Sequence, residues 1–413
     1  MGKNQKEYLR RLRAMDLYSQ GLKPIQIYKK LRRSERWFFK HLKNYRLYGT
    51  AGLKDKSKRP KKLNTRYIHK VINDVIEVRK DLSRAETEET KYKFFGARAV
   101  RQELIDNREY SDEQIPKERW INHIIKREGL IIKPDKRRRR KSNKFYPLLK
   151  PTKVNESHQM DIVGPRYIKG RGPFFSYHLK DIVNHQVFLE QYPEQLAVYV
   201  VDFFIKAWQR LKIPVYLQMD NHCTASGSLT HKRSISKVVR LCLFLGVQPV
   251  FIADEKPWMN GSIESFNSLF DKKLWQKYQF ETHTSLHREA KILEIRHNEY
   301  QAYSNSKKKL EEIESQVLPF GYDKHLKELP LTEGKIHFIR QVDEKGEISI
   351  LNENFFIDQS LFTDYLWVTV DTGREVCNIY YQESEDSPRI LIKSFPYKLR
   401  EKAVPFDPNN RFL

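Results

Sequence analysis

Between residues 155 and 274 the apolar residues change period several times, and that succession restricts the fold more than any other feature of the chain. Alternating runs at 156–163, 174–183 and 186–192 read as strands, with a turn at Gly170-Arg171-Gly172 between the first two. They suggest an antiparallel meander. A helix is expected from Glu194 to Leu211, where Leu196, Val200, Phe203, Phe204, Ala207 and Trp208 share one face. A buried strand follows at 214–219, then a helix from Ile235 to Leu245 that Gly246 ends, then a strand from Val247 to Ile252. A last helix carries Ile263, Phe266, Phe270 and Leu274 at helical spacing. This order predicts an α/β core around a mixed five-stranded sheet.

Three acids interrupt that apolar pattern. Asp161 lies in the first strand, in His158-Gln159-Met160-Asp161-Ile162-Val163-Gly164-Pro165, and Asp220 ends the run Val215-Tyr216-Leu217-Gln218-Met219. Glu264 sits beside the apolar stripe of the last helix, with its side chain free to reach outward. Taken singly, an aspartate after a strand is a turn residue and a glutamate on a helix is a solvated one. Three carboxylates in apolar surroundings instead suggest a site for a hard cation, because oxygen ligands favour Mg²⁺ or Mn²⁺ over zinc. Asp181, Asp254 and Glu255 fit strand or turn roles, and His222 reads as a loop residue.

The formal charge is +25, and its placement is uneven. Residues 1–150 hold 43 Lys and Arg against 18 Asp and Glu, while residues 151–413 hold 34 of each. Such segregation points to a polyanion bound by the first third, with a merely solubilising surface as the alternative. Tyr8, Leu9, Leu12 and Met15 mark one helix, Gly21 breaks it, and Pro24 opens a second with Ile25, Tyr28 and Leu31. Ser34 can cap a third, Glu35 to Tyr48, with Phe38, Leu42 and Tyr45 inward and Arg36, Lys40, Lys43 and Asn44 outward. That outward face suits a recognition helix in a major groove, although a plain three-helix bundle has the same pattern.

Boundaries follow from these patterns: a helix-turn-helix domain at 1–53, a basic linker at 54–63 and a second helix-turn-helix domain at 64–134. Another basic linker at 135–154 contains Arg137, Arg138, Arg139 and Arg140, a run that repels itself unless it lies on phosphate or in solvent. The α/β core is expected over 155–303, a helical connector over 304–333, a small β-barrel over 334–385 and a tail over 386–413. Near-neutral charge in the barrel segment favours contact with another subunit over DNA. No apolar run approaches the roughly 18 residues of a membrane span, and the N-terminus lacks the apolar stretch of a signal peptide. Cys223, Cys242 and Cys377 are too far apart for a CxxC zinc site or a disulfide framework. A cytoplasmic, nucleoid-associated protein is expected.

The element order and the acids resemble the ribonuclease-H-like core of the integrase and transposase superfamily. The resemblance rests on Gln159-Met160-Asp161 followed by Gly164-Pro165, on Asp220-Asn221, and on Pro257, Asn260, Gly261 and Glu264. It runs from 155 to about 303, where Asn298-Glu299-Tyr300 is similar to the end of that core, and the helical N-terminal arrangement resembles bacterial insertion-sequence transposases. His222 replaces the usual glycine after Asp-Asn, the 221–234 loop is long, and the last two acids are 44 positions apart, more than in retroviral integrases. The first third has no counterpart of the retroviral His/Cys zinc module.

The resemblance implies a DDE transposase with Asp161, Asp220 and Glu264 as catalytic and metal-binding residues. Two Mg²⁺ or Mn²⁺ ions about 3.5–4 Å apart would be held there, Asp161 bridging both, Asp220 binding one and Glu264 the other. It further implies double-stranded DNA as partner, both the terminal inverted repeats of an element and a target, and a homo-oligomer that pairs two ends. A domesticated DNA-binding regulator that retains only the helical modules is the rival of a different class. A ribonuclease-H-like nuclease is another, but it would not need two end-reading modules.

Overall fold

The computed structural model describes residues 3–55, 67–108, 110–132, 145–221, 231–322 and 329–408. The chain divides into two compact units, Met1–Arg66 and Tyr67–Leu413.

The first unit is a three-helix domain: α1 (Lys3–Ser19), α2 (Pro24–Lys30) and α3 (Glu35–Tyr48). Gly21, at φ +82°, makes the turn that ends the first helical segment. Ser34 caps α3 by accepting from Trp37 N at 3.2 Å, as its sequence position suggests. Ala14, Met15, Ile27, Phe38, Leu42 and Leu53 form the core. Glu7 ties α1 to the loop before α3 and to α3 itself, accepting from Arg33 at 2.8 Å and from Trp37 Nε1 at 3.2 Å. Tyr45, expected inside, is exposed, and so are Leu9 and Ile25 of the first two helices. With six buried apolar side chains among its described residues, so small a domain leaves some apolar positions on its helices uncovered.

The second unit begins with α4 (His69–Arg84), α5 (Ala97–Arg108) and α6 (Glu118–Arg127), packed around Val75, Leu82, Val100, Leu104, Ile121 and Ile124. Next come β1 (Ser157–Ile168), β2 (Gly172–Asp181), β3 (Val187–Tyr192), α7 (Ala197–Trp208) and β4 (Tyr216–Met219). They are followed by α8 (Lys237–Phe244), β5 (Gln248–Phe251), α9 (Gly261–Phe270) and α10 (His283–Asn305). β1, β2 and β3 pair antiparallel, whereas β1, β4 and β5 pair parallel, so the predicted meander and mixed sheet are present. Helices cover both faces. Val200, Phe203, Phe204 and Trp208 of α7 pack with α8 on one side, and Ile263, Phe266, Phe270 and Leu274 pack with α10 on the other. Each of those four is 0–1% exposed, and burying each contributes about 1.5–3 kcal/mol.

Beyond α10 the structure departs from expectation. Past Asn305 the 304–333 connector contains no α-helix among its described residues; instead Val154 N donates to Glu311 O, and Ile313 N to Val154 O. Among the described residues no closed barrel forms after it. The strands β6 (Lys335–Gln341), β9 (Tyr365–Asp371), β10 (Val376–Tyr381) and β11 (Ile390–Pro396) join the core sheet, giving nine strands in the order β11-β10-β9-β6-β5-β4-β1-β2-β3. β7 (Glu347–Ile350) and β8 (Glu353–Phe356) form a separate hairpin. Alternating apolar patterns do not distinguish strands that close on themselves from strands that extend an existing edge. Here β6 pairs parallel with β5, and its residues Ile336 to Arg340 are buried on both faces, as an interior strand requires. β11 lies in the stretch expected to be a tail.

The three helices at the start of the second unit are docked on α10. Tyr92 donates to Glu289 at 2.8 Å, Lys91 pairs with the same carboxylate at 2.7 Å, and Phe94 stacks on Tyr300 with centroids 4.1 Å apart. A π-helical turn, Asp271–Trp275, follows α9, and from it Lys273 donates to the carbonyls of Tyr92 and Lys93 at 2.7 and 3.0 Å. Among the described residues no helix is long and apolar enough to cross a membrane.

Candidate active site

The parallel register of β1 with β4 sets Ser157 opposite Tyr216, His158 opposite Leu217 and Gln159 opposite Gln218. Two residues beyond the last of these pairs come Asp161, still on β1, and Asp220, just past the end of β4. Glu264 joins them because the start of α9 is bolted to these two strands. Ile263 N donates to Gln159 Oε1 at 3.0 Å, Gln218 Nε2 donates to Met259 O at 2.9 Å, and Asn260 Nδ2 donates to Met160 O at 2.9 Å. Gln159, Gln218 and Asn260 are all buried, and buried polar side chains hold position only when partnered, as these are. Glu264 thus lies in the first turn of α9, where the helix dipole favours a negative charge.

The electrostatics report the same proximity. Burial first, and then the charges of Glu264 and Asp220, push the Asp161 carboxyl up to about 7. Hydrogen bonds from Ile162 N at 2.9 Å and Asn267 Nδ2 at 2.6 Å work in the opposite direction. Burial raises Glu264 as well. Beside them Lys180, on β2, donates to Ser262 O at 2.8 Å and Ser265 Oγ at 3.3 Å, and burial lowers it to about 8. Among the described residues no three His, Cys, Asp or Glu side chains already form a group that could hold a metal ion. What the donor set offers is oxygen alone, from carboxylates whose mutual repulsion a hard divalent cation would relieve, so these residues fit Mg²⁺ or Mn²⁺.

Of the other expected residues, Arg36, Lys40 and Lys43 are exposed along α3 of the first unit. Arg137, Arg138, Arg139, Arg140 and His222 lie outside the described residues. Sequence reasoning assigned no role to Gln218, Asn267, His178, Lys180 or Arg340. The last, on β6, is buried and donates to Asn221 Oδ1 at 2.8 Å, directly after Asp220, and to the carbonyls of Ile339, Ser349 and Ile252. Each is a polar residue inside an apolar strand or helix face, and that is the signal that could have found them.

Residues 6–54 match the homeodomain-like domain family. No curated protein matches the chain. Among solved structures, the catalytic core of BIV integrase aligns at 15% identity and a TM-score of 0.26, over 40% of this chain and 90% of that one. The HTLV-2 integrase catalytic core, in a complex with magnesium, aligns at 16% identity and 0.26, over 37% and 88%. The simian T-cell lymphotropic virus intasome, bound to the PP2A regulatory subunit B56γ, aligns at 12% identity and 0.31, over 79% and 99%. At such scores the chemistry of the site has to be built from its own residues. A homeodomain-like domain precedes a mixed sheet with acids on β1, after β4 and on a later helix, which is the layout implied by the sequence resemblance.

Proposed function

We propose that this protein is a DDE-type DNA transposase, which binds the ends of its mobile element, hydrolyses a strand to free a 3′-hydroxyl and joins that hydroxyl to target DNA. What supports it most is the register of β1 with β4 together with the hydrogen bonds that tie the start of α9 to both strands, which bring the segments of Asp161, Asp220 and Glu264 to one end of the sheet. In this reading the three carboxylates hold two Mg²⁺ or Mn²⁺ ions, which, when bound, supply charge stabilisation for attacking and leaving oxygens and lower the pKa of the attacking hydroxyl. Gln159, Gln218 and Asn260 keep Glu264 aligned with the two aspartates. Arg36, Lys40 and Lys43 on α3 read the element end in a major groove, and Arg137 to Arg140 lie along phosphates. Because two ends have to be joined, the working form is a homo-oligomer on DNA.

The test is cleavage and joining of a pre-cut element end by Asp161→Asn, Asp220→Asn and Glu264→Gln beside the parent. Each substitution keeps size and removes one negative ligand, so each is expected to abolish both reactions while end binding persists. A variant that joins strands at the parental rate removes that residue from the site. A parent inactive on its own verified ends favours a DNA-binding regulator.

A further inference from the structure

A line of side chains, buried at Ser176, His178 and Asn267, runs from the surface of α10 to Asp161, and every hydrogen bond in it points the same way. His287 Nδ1 donates to Gln191 Oε1 at 2.9 Å, Gln191 Nε2 to Ser176 Oγ at 3.2 Å, and Ser176 Oγ to His178 Nε2 at 2.8 Å. His178 Nδ1 then donates to Asn267 Oδ1 at 2.7 Å, and Asn267 Nδ2 to Asp161 Oδ2 at 2.6 Å. The direction is set at the far end when Asp161 is ionised, as a metal ligand has to be, because an ionised carboxylate only accepts. Turning the Asn267 amide over would set its carbonyl against that carboxylate and its NH₂ against the His178 N–H, losing both bonds.

His178 is the member that decides the orientation. It is fully buried on β2, opposite Asp161 in the β1–β2 register, and its ring is wedged against Phe266 and Phe270 with centroids 5.2 and 4.7 Å away. Burial holds the ring neutral, pushing its pKa down to about 4. A neutral imidazole carries one N–H, and with Ser176 donating to Nε2 that hydrogen belongs on Nδ1, facing Asn267.

We propose that His178 is a positioning residue for the metal site. Its Nδ1–H fixes the Asn267 amide, and the amide in turn fixes the Asp161 carboxylate for a divalent cation. The inference rests on the reading of Asp161 as a metal ligand. Groups that orient metal ligands from behind typically carry a tenfold to hundredfold share of affinity.

The test separates the two nitrogens. In His178→Asn the amide nitrogen can stand where Nδ1 stands; in His178→Gln it stands where Nε2 stands, and the donor to Asn267 is lost. Both leave a void where the ring stood, the larger one in His178→Asn, so a role in packing alone would harm His178→Asn at least as much as His178→Gln. Mn²⁺ affinity of the full chain, read by the loss of the free-ion EPR signal, is measured for the parent, for both variants and for Asp161→Asn, alongside thermal unfolding and end cleavage. The expected result is Mn²⁺ binding about tenfold or more weaker in His178→Gln, near-parental binding in His178→Asn, and cleavage that follows the same order. Parental affinity in His178→Gln, or equal losses in both variants, overturns the proposal while leaving the site intact. Parental affinity in Asp161→Asn overturns the metal-ligand reading and the proposal with it. A parent that binds Mn²⁺ through Asp161 yet cuts no DNA overturns only the transposase reading, and the affinities still decide on His178.

Discussion

Asp161→Asn is expected to stabilise the metal-free protein, and to do so only at neutral and alkaline pH. An aspartate whose ordinary value of 3.8 rises to about 7 in place binds its proton more tightly folded than unfolded. Between those values the folded chain holds more protons, so stability falls as pH rises through this window and stays lowered above it. At about 1.36 kcal/mol per unit the ceiling is about 4 kcal/mol above pH 7. Asp161 is only partly buried, and solvent relaxation reduces that figure. Asparagine also forfeits one acceptor, since Ile162 N and Asn267 Nδ2 now face a single side-chain oxygen, at a cost of about 1 kcal/mol. The net gain expected is about 1–2 kcal/mol near pH 8 and none near pH 4. Urea unfolding of parent and variant in EDTA at both pH values measures it. Added Mn²⁺ should then stabilise the parent and not the variant, because only a ligand bound to the folded state shifts the equilibrium. A variant no more stable than the parent at pH 8, or equally stabilised at both pH values, would show that burial and the neighbouring charges do not disfavour an ionised Asp161 as described.

Gln218→Leu removes the donor to Met259 O and should cost about 1–3 kcal/mol together with most of the cleavage, while end binding persists; urea unfolding and cleavage of a labelled end check both, and parental cleavage would count against the bolting of α9. Arg36→Ala or Lys40→Ala, where the side chain meets a base, should cost about 1–3 kcal/mol on the element end and little on random DNA. Neutralising Arg137 to Arg140 should instead weaken all sequences and flatten the salt dependence, as titrations at several salt concentrations would reveal. A chain ending at Glu333 leaves β5 as a bare edge and should be insoluble; a soluble fragment with cooperative unfolding would show that the last strands are dispensable.

The three acids were legible as breaks in local patterns: Asp161 within an apolar strand, Asp220 just after one, and Glu264 beside a helical stripe that is indeed buried. What joins them was not. Gln159 meets Gln218 only through the β1–β4 register, and the bonds that draw in α9 reach across about a hundred residues from Gln159 to Ile263 and about forty from Gln218 to Met259. Local periodicity carries no information at that range. The same limit explains the last strands: alternation located most of them, yet whether β6 closes a barrel or pairs with β5 depends on which edge is free. His178 looked like an ordinary strand residue, and only its neighbours Phe266, Phe270 and Asn267, nearly ninety positions on, give its ring a direction.

The placement of β6 also has a consequence in time. Synthesis runs from the N-terminus, so the homeodomain-like domain is complete near residue 55, while the sheet beneath the three acids lacks an interior strand until Lys335–Gln341 has been made and its last strand until Pro396. At about 5–20 residues per second that interval is on the order of 20–70 s. On a growing chain, therefore, α3 is folded and exposed long before Arg340 arrives to hold Asn221 beside Asp220.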